Sequence, residues 1–220
     1  ASVSEAVHLA STQFAVQGVP SAYLTAEVLL AHVLRVEKTF LYTYPEKDLS
    51  AKQANLLRQL VEERCQGTPT QYLTGVQEFF GLDFEVTPDV LIPRPETELL
   101  VECTLNIADR GDRILDIGTG SGCVAISIKK HQPAANVGAC DLSLAALEIA
   151  SKNATQLGVI VNFFVSDLAS TIQEKSLDII VANPPYVPLA SLPGLQRELR
   201  AEPSIALFGG QDGLEHYQRL

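Results

Sequence analysis

The stretch VANPPYVP, Val181 to Pro188, puts an amide, two prolines and a phenol directly behind an apolar run. Proline has a fixed φ and no N–H, so a central strand must end there. The plain reading is a strand-ending turn. The chemical reading is a grip on a flat –NH2 group. Asn183 offers a side-chain carbonyl and the Pro184 backbone a second, and proline's locked φ fixes where that second carbonyl points. Two acceptors on the two N–H bonds would raise electron density on a delocalised nitrogen and hold its lone pair in line for attack. Tyr186 would cover the flat face. For methyl transfer, such positioning is most of the catalysis.

A second constellation is DIGTGSG, Asp116 to Gly122. It is not the dinucleotide fingerprint, which needs glycine where Cys123 stands, nor a P-loop, since no lysine follows. It is not a nucleophile elbow either, because Thr119 occupies a required glycine position. What remains is G-x-G-x-G over Gly118, Gly120 and Gly122, a loop that lets a ligand approach the backbone closely without provision for phosphate charge. Asp141 ends the next strand, where an acid can accept both ribose hydroxyls. Asp167 ends the one after, within reach of an exocyclic amine such as adenine N6. Each acid alone reads equally well as an ordinary strand-end residue. Together with the glycine loop they describe a nucleoside pocket that favours a cation, and the ligand that fits is S-adenosyl-L-methionine.

These residues need a frame that brings them to one rim. Strands and helices alternate with short loops from DRILDIGTGSG through ANVGACDLS and VIVNFFVSD to SLDIIVANPPY. That order predicts an α/β fold with a parallel sheet covered on both faces, whose ligands lie at the carboxyl ends of the strands. Upstream, three amphipathic stretches predict an N-terminal helical bundle over 1–67, with Ser21 and Ser50 as helix caps. VQEFF and LDFEV around Gly81 predict a β-hairpin, taken with its surroundings as a linker over 68–91. The α/β domain then runs over 92–220.

Composition narrows the partners. With 16 Lys+Arg against 26 Asp+Glu the net charge is −10, a balance that repels phosphate backbones. Four cysteines, Cys65, Cys103, Cys123 and Cys140, show no metal-ligand spacing and read as buried thiols in a reducing compartment. No metal site is expected. No stretch is apolar over the ~18 residues that cross a bilayer, and no signal peptide is visible. The expectation is a cytoplasmic, monomeric protein with no membrane contact.

The segments DIGTGSG, CDLS, VSDL and NPPYVP, preceded by LIPRPETELLV and QYLTG, resemble the HemK/PrmC family of protein-(glutamine-N5) methyltransferases. NPPY occurs more widely; its combination with IPRPETE carries the resemblance. The family implies a Rossmann-like S-adenosyl-L-methionine-dependent methyltransferase domain, with S-adenosyl-L-homocysteine as product. The substrate it implies is the GGQ glutamine of peptide chain release factors. By position, Gly118, Thr119, Gly120, Ser121 and Gly122 would line the methionine part of the cofactor, Asp141 the ribose, and Asp167 and Leu168 the adenine. Asn183, Pro184, Pro185 and Tyr186 would hold the glutamine amide, Asn183 bordering the cofactor as well, with Arg94 and Glu96 ordering the rim. Family members continue past FGGQDGLEHYQRL with further strands, so the sheet is expected to lack its C-terminal strands here. The alternative is an amino-group methyltransferase of DNA or RNA, acting on adenine N6 or guanine N2. It would flip a base into the same pocket and should carry a basic groove. The bundle, with no chemistry of its own, is expected to help grip the release factor through its acidity. No direct nucleic-acid contact is expected.

Overall fold

The first helix, α1 (Val3–Val16), begins with a reciprocal cap: Ser2 Oγ accepts from the Glu5 amide, and the Glu5 carboxylate accepts from the Ser2 N–H. The same device, Ser50 with Gln53, opens α4. Each cap contributes about 1 kcal/mol. In a computed structural model that describes residues 1–220, the chain divides into two units, Ala1–Thr74 and Gly75–Leu220.

The first unit holds α1, α2 (Ala22–Leu34), α3 (Lys38–Thr43), α4 (Ala51–Cys65) and α5 (Thr70–Thr74). Val3, Val7 and Phe14 of α1 meet Leu29 and Leu30 of α2 and Leu57, Leu60 and Val61 of α4 in one buried cluster. The helix before Gly18 therefore buries the face its spacing predicts. Ser21 differs from expectation. It stands at the start of α2 with φ 51° and makes no side-chain cap bond, because the turn through Gly18 and Pro20 sets that entry instead. This unit is also nearly neutral, with six Lys/Arg against seven Asp/Glu; the negative charge is concentrated in the second unit, ten against nineteen. The expected acidity of the bundle is thus corrected.

The second unit opens with a hairpin, β1 (Val76–Phe79) antiparallel to β2 (Leu82–Glu85). Phe80 and Gly81 between them have φ 53° and 73°, the paired left-handed geometry of a type I′ turn. Phe80 tolerates it because its N–H donates to Glu98 Oε1 and its ring meets His131 edge-on. Phe79 and Phe84 are almost fully buried in the same cluster as the helices of the sheet, a gain of about 1.5–3 kcal/mol each. Asn153 bonds both the Glu85 N–H and its carbonyl. The hairpin is therefore part of the second unit, and the linker expected over 68–91 is corrected: the division falls between Thr74 and Gly75.

A 3-10 turn (Pro95–Thr97) leads into α6 (Glu98–Ile107), followed by β3 (Arg113–Ile117), α7 (Cys123–His131), β4 (Asn136–Asp141), α8 (Leu144–Gln156), β5 (Asn162–Val165) and β6 (Ile179–Ala182). Two further 3-10 turns and the short helices α9 (Ser204–Leu207) and α10 (Glu215–Arg219) complete the chain. The four strands β3 to β6 form one all-parallel sheet in the order β5-β4-β3-β6. The chain builds outward from β3 through β4 to β5, then crosses back to lay β6 on the other side of β3. That reversal makes the crevice between the carboxyl ends of β3 and β6 the ligand position of such a sheet. Ile117 of β3 pairs with Ala182 of β6, so Gly118 and Asn183 leave the sheet side by side. No helix is long and apolar enough to cross a membrane.

Candidate active site

Gly118 and Gly120 both have positive φ, and a Cβ at either would meet nothing within 4 Å. The open space is a cavity of about 110 Å3 lined by both glycines with Asp141, Asp167, Leu168 and Asn183. Gly122 plays a different part. A Cβ there would sit 2.8 Å from Ile126 Cδ1 and 3.0 Å from Ala150 Cβ, so its role is to let α7 and α8 close on each other. It lines none of the cavities described here. Thr119 and Ser121 are buried and line a smaller recess of about 50 Å3, shared with Asp116, Gly118, Gly120 and Asn183.

Asp141 is the hinge of the first cavity. Its Oδ2 accepts from the Gly120 N–H and its Oδ1 from the Ser143 N–H, both at 2.9 Å. It thereby ties the glycine loop to the cap of α8, and each oxygen keeps lone-pair capacity for a further donor. That is the donor–acceptor arrangement a ribose diol needs. Asp167 is less free: its Oδ2 pairs with Arg219 Nη2 at 2.6 Å, leaving one oxygen for an exocyclic amine. Below the loop, burial pushes the Asp116 carboxyl up to about 6, opposed by bonds from the Thr119 hydroxyl and the Ala125 N–H.

A second cavity, about 380 Å3, is lined by Arg94, Glu96, Asn183, Pro184, Pro185 and Tyr186. Asn183 and Pro185, with Leu91 and Ala206, line both this cavity and the first, so they form the wall between an inner recess and an outer one. Asn183 is not turned into the interior. Its Nδ2 donates to Thr97 Oγ1 at 3.2 Å, which leaves Oδ1 as the acceptor. Asn183 and Pro184 each precede a proline, which holds both near extended ψ. Tyr186 is 60% exposed at the outer edge. Of the residues expected to hold a cofactor, Gly118, Gly120, Asp141, Asp167 and Leu168 line the first cavity with Asn183, whereas Thr119 and Ser121 line the smaller recess and Gly122 lines none.

Several residues here had no motif to announce them. Glu202 is buried, pairs with Arg94, and accepts from the Ile92 N–H at 3.0 Å. It joins the IPR segment to a stretch 108 residues away from Arg94. Asp89, Ser143 and His216 line the first cavity; only Ser143, capping α8 right after Asp141, left a local signal. The turn FGGQDG buttresses NPPY from behind: Val187 N–H donates to Leu207 O and Gly209 N–H to Val187 O. No cluster of His, Cys, Asp or Glu is placed to hold a metal ion.

Family models match both parts of the chain. Residues 5–75 match the family described as PrmC N-terminal domain, and residues 95–192 the family described as methyltransferase small domain. The release factor glutamine methyltransferase of Koribacter versatilis is 46% identical over 205 residues, covering 91% of this chain and 73% of that protein. That of Moorella thermoacetica is 43% identical over 220 residues, covering 98% and 78%. Among solved structures, the tRNA (uracil-54, C5)-methyltransferase of Pyrococcus abyssi in complex with S-adenosyl-L-homocysteine aligns at 23% identity and a TM-score of 0.43, over 52% of this chain and 28% of that one.

Proposed function

This chain belongs to the release factor glutamine methyltransferase family, and on that premise we propose that it methylates the side-chain amide nitrogen (N5) of the GGQ glutamine in peptide chain release factors. The methyl donor is S-adenosyl-L-methionine, which supplies an electrophilic methyl carbon on a sulfonium. The setting is the cytoplasm. The observation that carries the reading is Asn183, which lines both cavities and keeps its carbonyl oxygen after donating to Thr97.

Asp141 would hold the ribose through the oxygens that already clamp Gly120 and Ser143. Gly118 and Gly120 give the cofactor room beside the backbone, and Leu168 with Asp167 would border the adenine. On the outer side, the Asn183 oxygen and the Pro184 carbonyl would accept the two N–H bonds of the substrate carboxamide. Held so, its nitrogen keeps its lone pair toward the partition; attack on the methyl carbon would break the S–CH3 bond, leave S-adenosyl-L-homocysteine and release one amide proton to solvent. Tyr186, exposed at the rim, would cover the amide's outer face, while Arg94 and Glu96 order the mouth. The first unit supplies no chemistry; its exposed Tyr23, Tyr42 and Tyr44 suit contact with a protein partner, since tyrosine is enriched at interfaces.

The test offers labelled S-adenosyl-L-methionine to the purified protein with three acceptors: a release factor, DNA and ribosomal RNA. Label on the release factor, lost when its GGQ glutamine is replaced, is the expected result. Label on nucleic acid and none on the protein would overturn the reading.

A further inference from the structure

We infer that Thr97 is a positioning residue for the transfer, its hydroxyl accepting from the Asn183 carboxamide and so anchoring that amide with its oxygen free for the substrate. The inference rests on the function proposed above.

A side-chain amide turns about a broad, two-fold torsion, and half a turn exchanges its acceptor for its donor. Facing a substrate –NH2, the wrong half-turn would set two donors against each other. The structure contains one contact that restrains this torsion: Asn183 Nδ2 donates to Thr97 Oγ1, and while Oγ1 accepts there Oδ1 is the atom left for the substrate. Thr97 stands at the N-cap position of α6 but makes no side-chain cap bond there. Its hydroxyl is therefore not spent on starting the helix. The side chain is buried and belongs to a stretch fixed on every side. The Thr97 N–H donates to Arg94 O, Arg94 pairs with buried Glu202, and neighbouring Glu98 accepts from the Phe80 N–H. A rotor held on so firm a platform can orient a partner, as supporting groups around a functional residue do.

Thr97→Val keeps the shape and removes the acceptor. With a release factor as substrate, kcat should fall about 10–100-fold, the range seen when outer-shell orienting partners are removed. The KM for the acceptor and the affinity for S-adenosyl-L-homocysteine should stay within about threefold. Thr97→Ser should recover most of the lost rate. In an Asn183→Ala background, Thr97→Val should cost nothing more, because the amide it orients is gone. A full rate in Thr97→Val, a serine variant no better than the valine one, or losses that multiply in the Asn183→Ala background would each overturn the inference. Should the valine variant not fold, Thr97→Ala against Thr97→Ser makes the same comparison. Wild-type protein that leaves the release factor unlabelled would remove the underlying function; active wild type with an equally active Thr97→Val removes only the role of Thr97.

Discussion

Gly209 lies so close to Pro185 that a Cβ on it would stand 2.5 Å from the Pro185 carbonyl oxygen. The glycine-rich turn after α9 is thus a mould for the partition between the two cavities. Gly209→Ala should push the NPPY backbone outward. Overpacking of this kind costs about 1–3 kcal/mol, a fall of several degrees in Tm for a chain of this size. Catalytic rate should fall by more than the loss of folded protein accounts for. Thermal unfolding and initial rates measured on the same preparation separate the two; an unchanged rate and Tm would show the turn to be passive.

Asn183→Ala removes one of the two proposed acceptors. Turnover should drop on the order of 10²–10³, by analogy with deleting one oxyanion-hole donor, while calorimetric affinity for S-adenosyl-L-homocysteine stays near wild type. Loss of that affinity instead would assign Asn183 to the cofactor and not to the amide.

Asp141→Ala should do the opposite. It deletes the carboxylate that clamps the glycine loop and would take the ribose hydroxyls. Hydrogen bonds to a charged group contribute about 1.5–3 kcal/mol each, so affinity for S-adenosyl-L-homocysteine should weaken at least tenfold. Calorimetry that finds wild-type affinity would place the ribose elsewhere.

Asp116 makes a pH prediction. Burial first, with a smaller push from Asp141, raises its carboxyl from 3.8 to about 6. A carboxyl held above its unfolded value favours the fold most when protonated. Its contribution is complete below about pH 4 and is lost as pH rises through about 6, a swing of roughly 3 kcal/mol. Tm should therefore shift in favour of wild type, relative to Asp116→Asn, on going from pH 7 to pH 4.5. Parallel pH profiles for the two proteins would contradict this.

The cysteines should label in a fixed order under native conditions. Cys103 is exposed and Cys65 partly so, whereas Cys123 and Cys140 are buried. Burial pushes the Cys123 thiol up to about 12 and the Cys140 thiol up to about 11, so neither supplies thiolate near neutrality. Mass spectrometry after a thiol reagent should find Cys103 modified first and the two buried thiols last. The expectation of four buried thiols is corrected at Cys65, which is half-buried, and at Cys103, which projects from the solvent side of α6 while Val101 and Thr104 face inward.

The sheet was legible because its strands are short apolar runs that each stop at a polar residue, and those stops line one cavity: Gly118, Asp141, Asp167 and Asn183. The supporting contacts were not. Thr97 meets Asn183 across 86 positions and Arg94 meets Glu202 across 108, distances over which no periodicity or spacing speaks. Glu202 and Gly209 are ordinary loop residues until the chain folds, when one becomes a buried clamp and the other a surface with no room for a methyl group. Gly122 shows the converse. Its motif pointed to a ligand, but its missing side chain serves the approach of α7 to α8.

Because Asn183 and Pro185 are common to both chambers, the proposed function predicts that a single small molecule joining an adenosine to a carboxamide by a tether of a few atoms would occupy the two at once. Its second half would bind at the high local concentration that tethering confers, so it should inhibit at far lower dose than a mixture of the separate halves. Lengthening the tether would locate, atom by atom, the gap a methyl group has to cross.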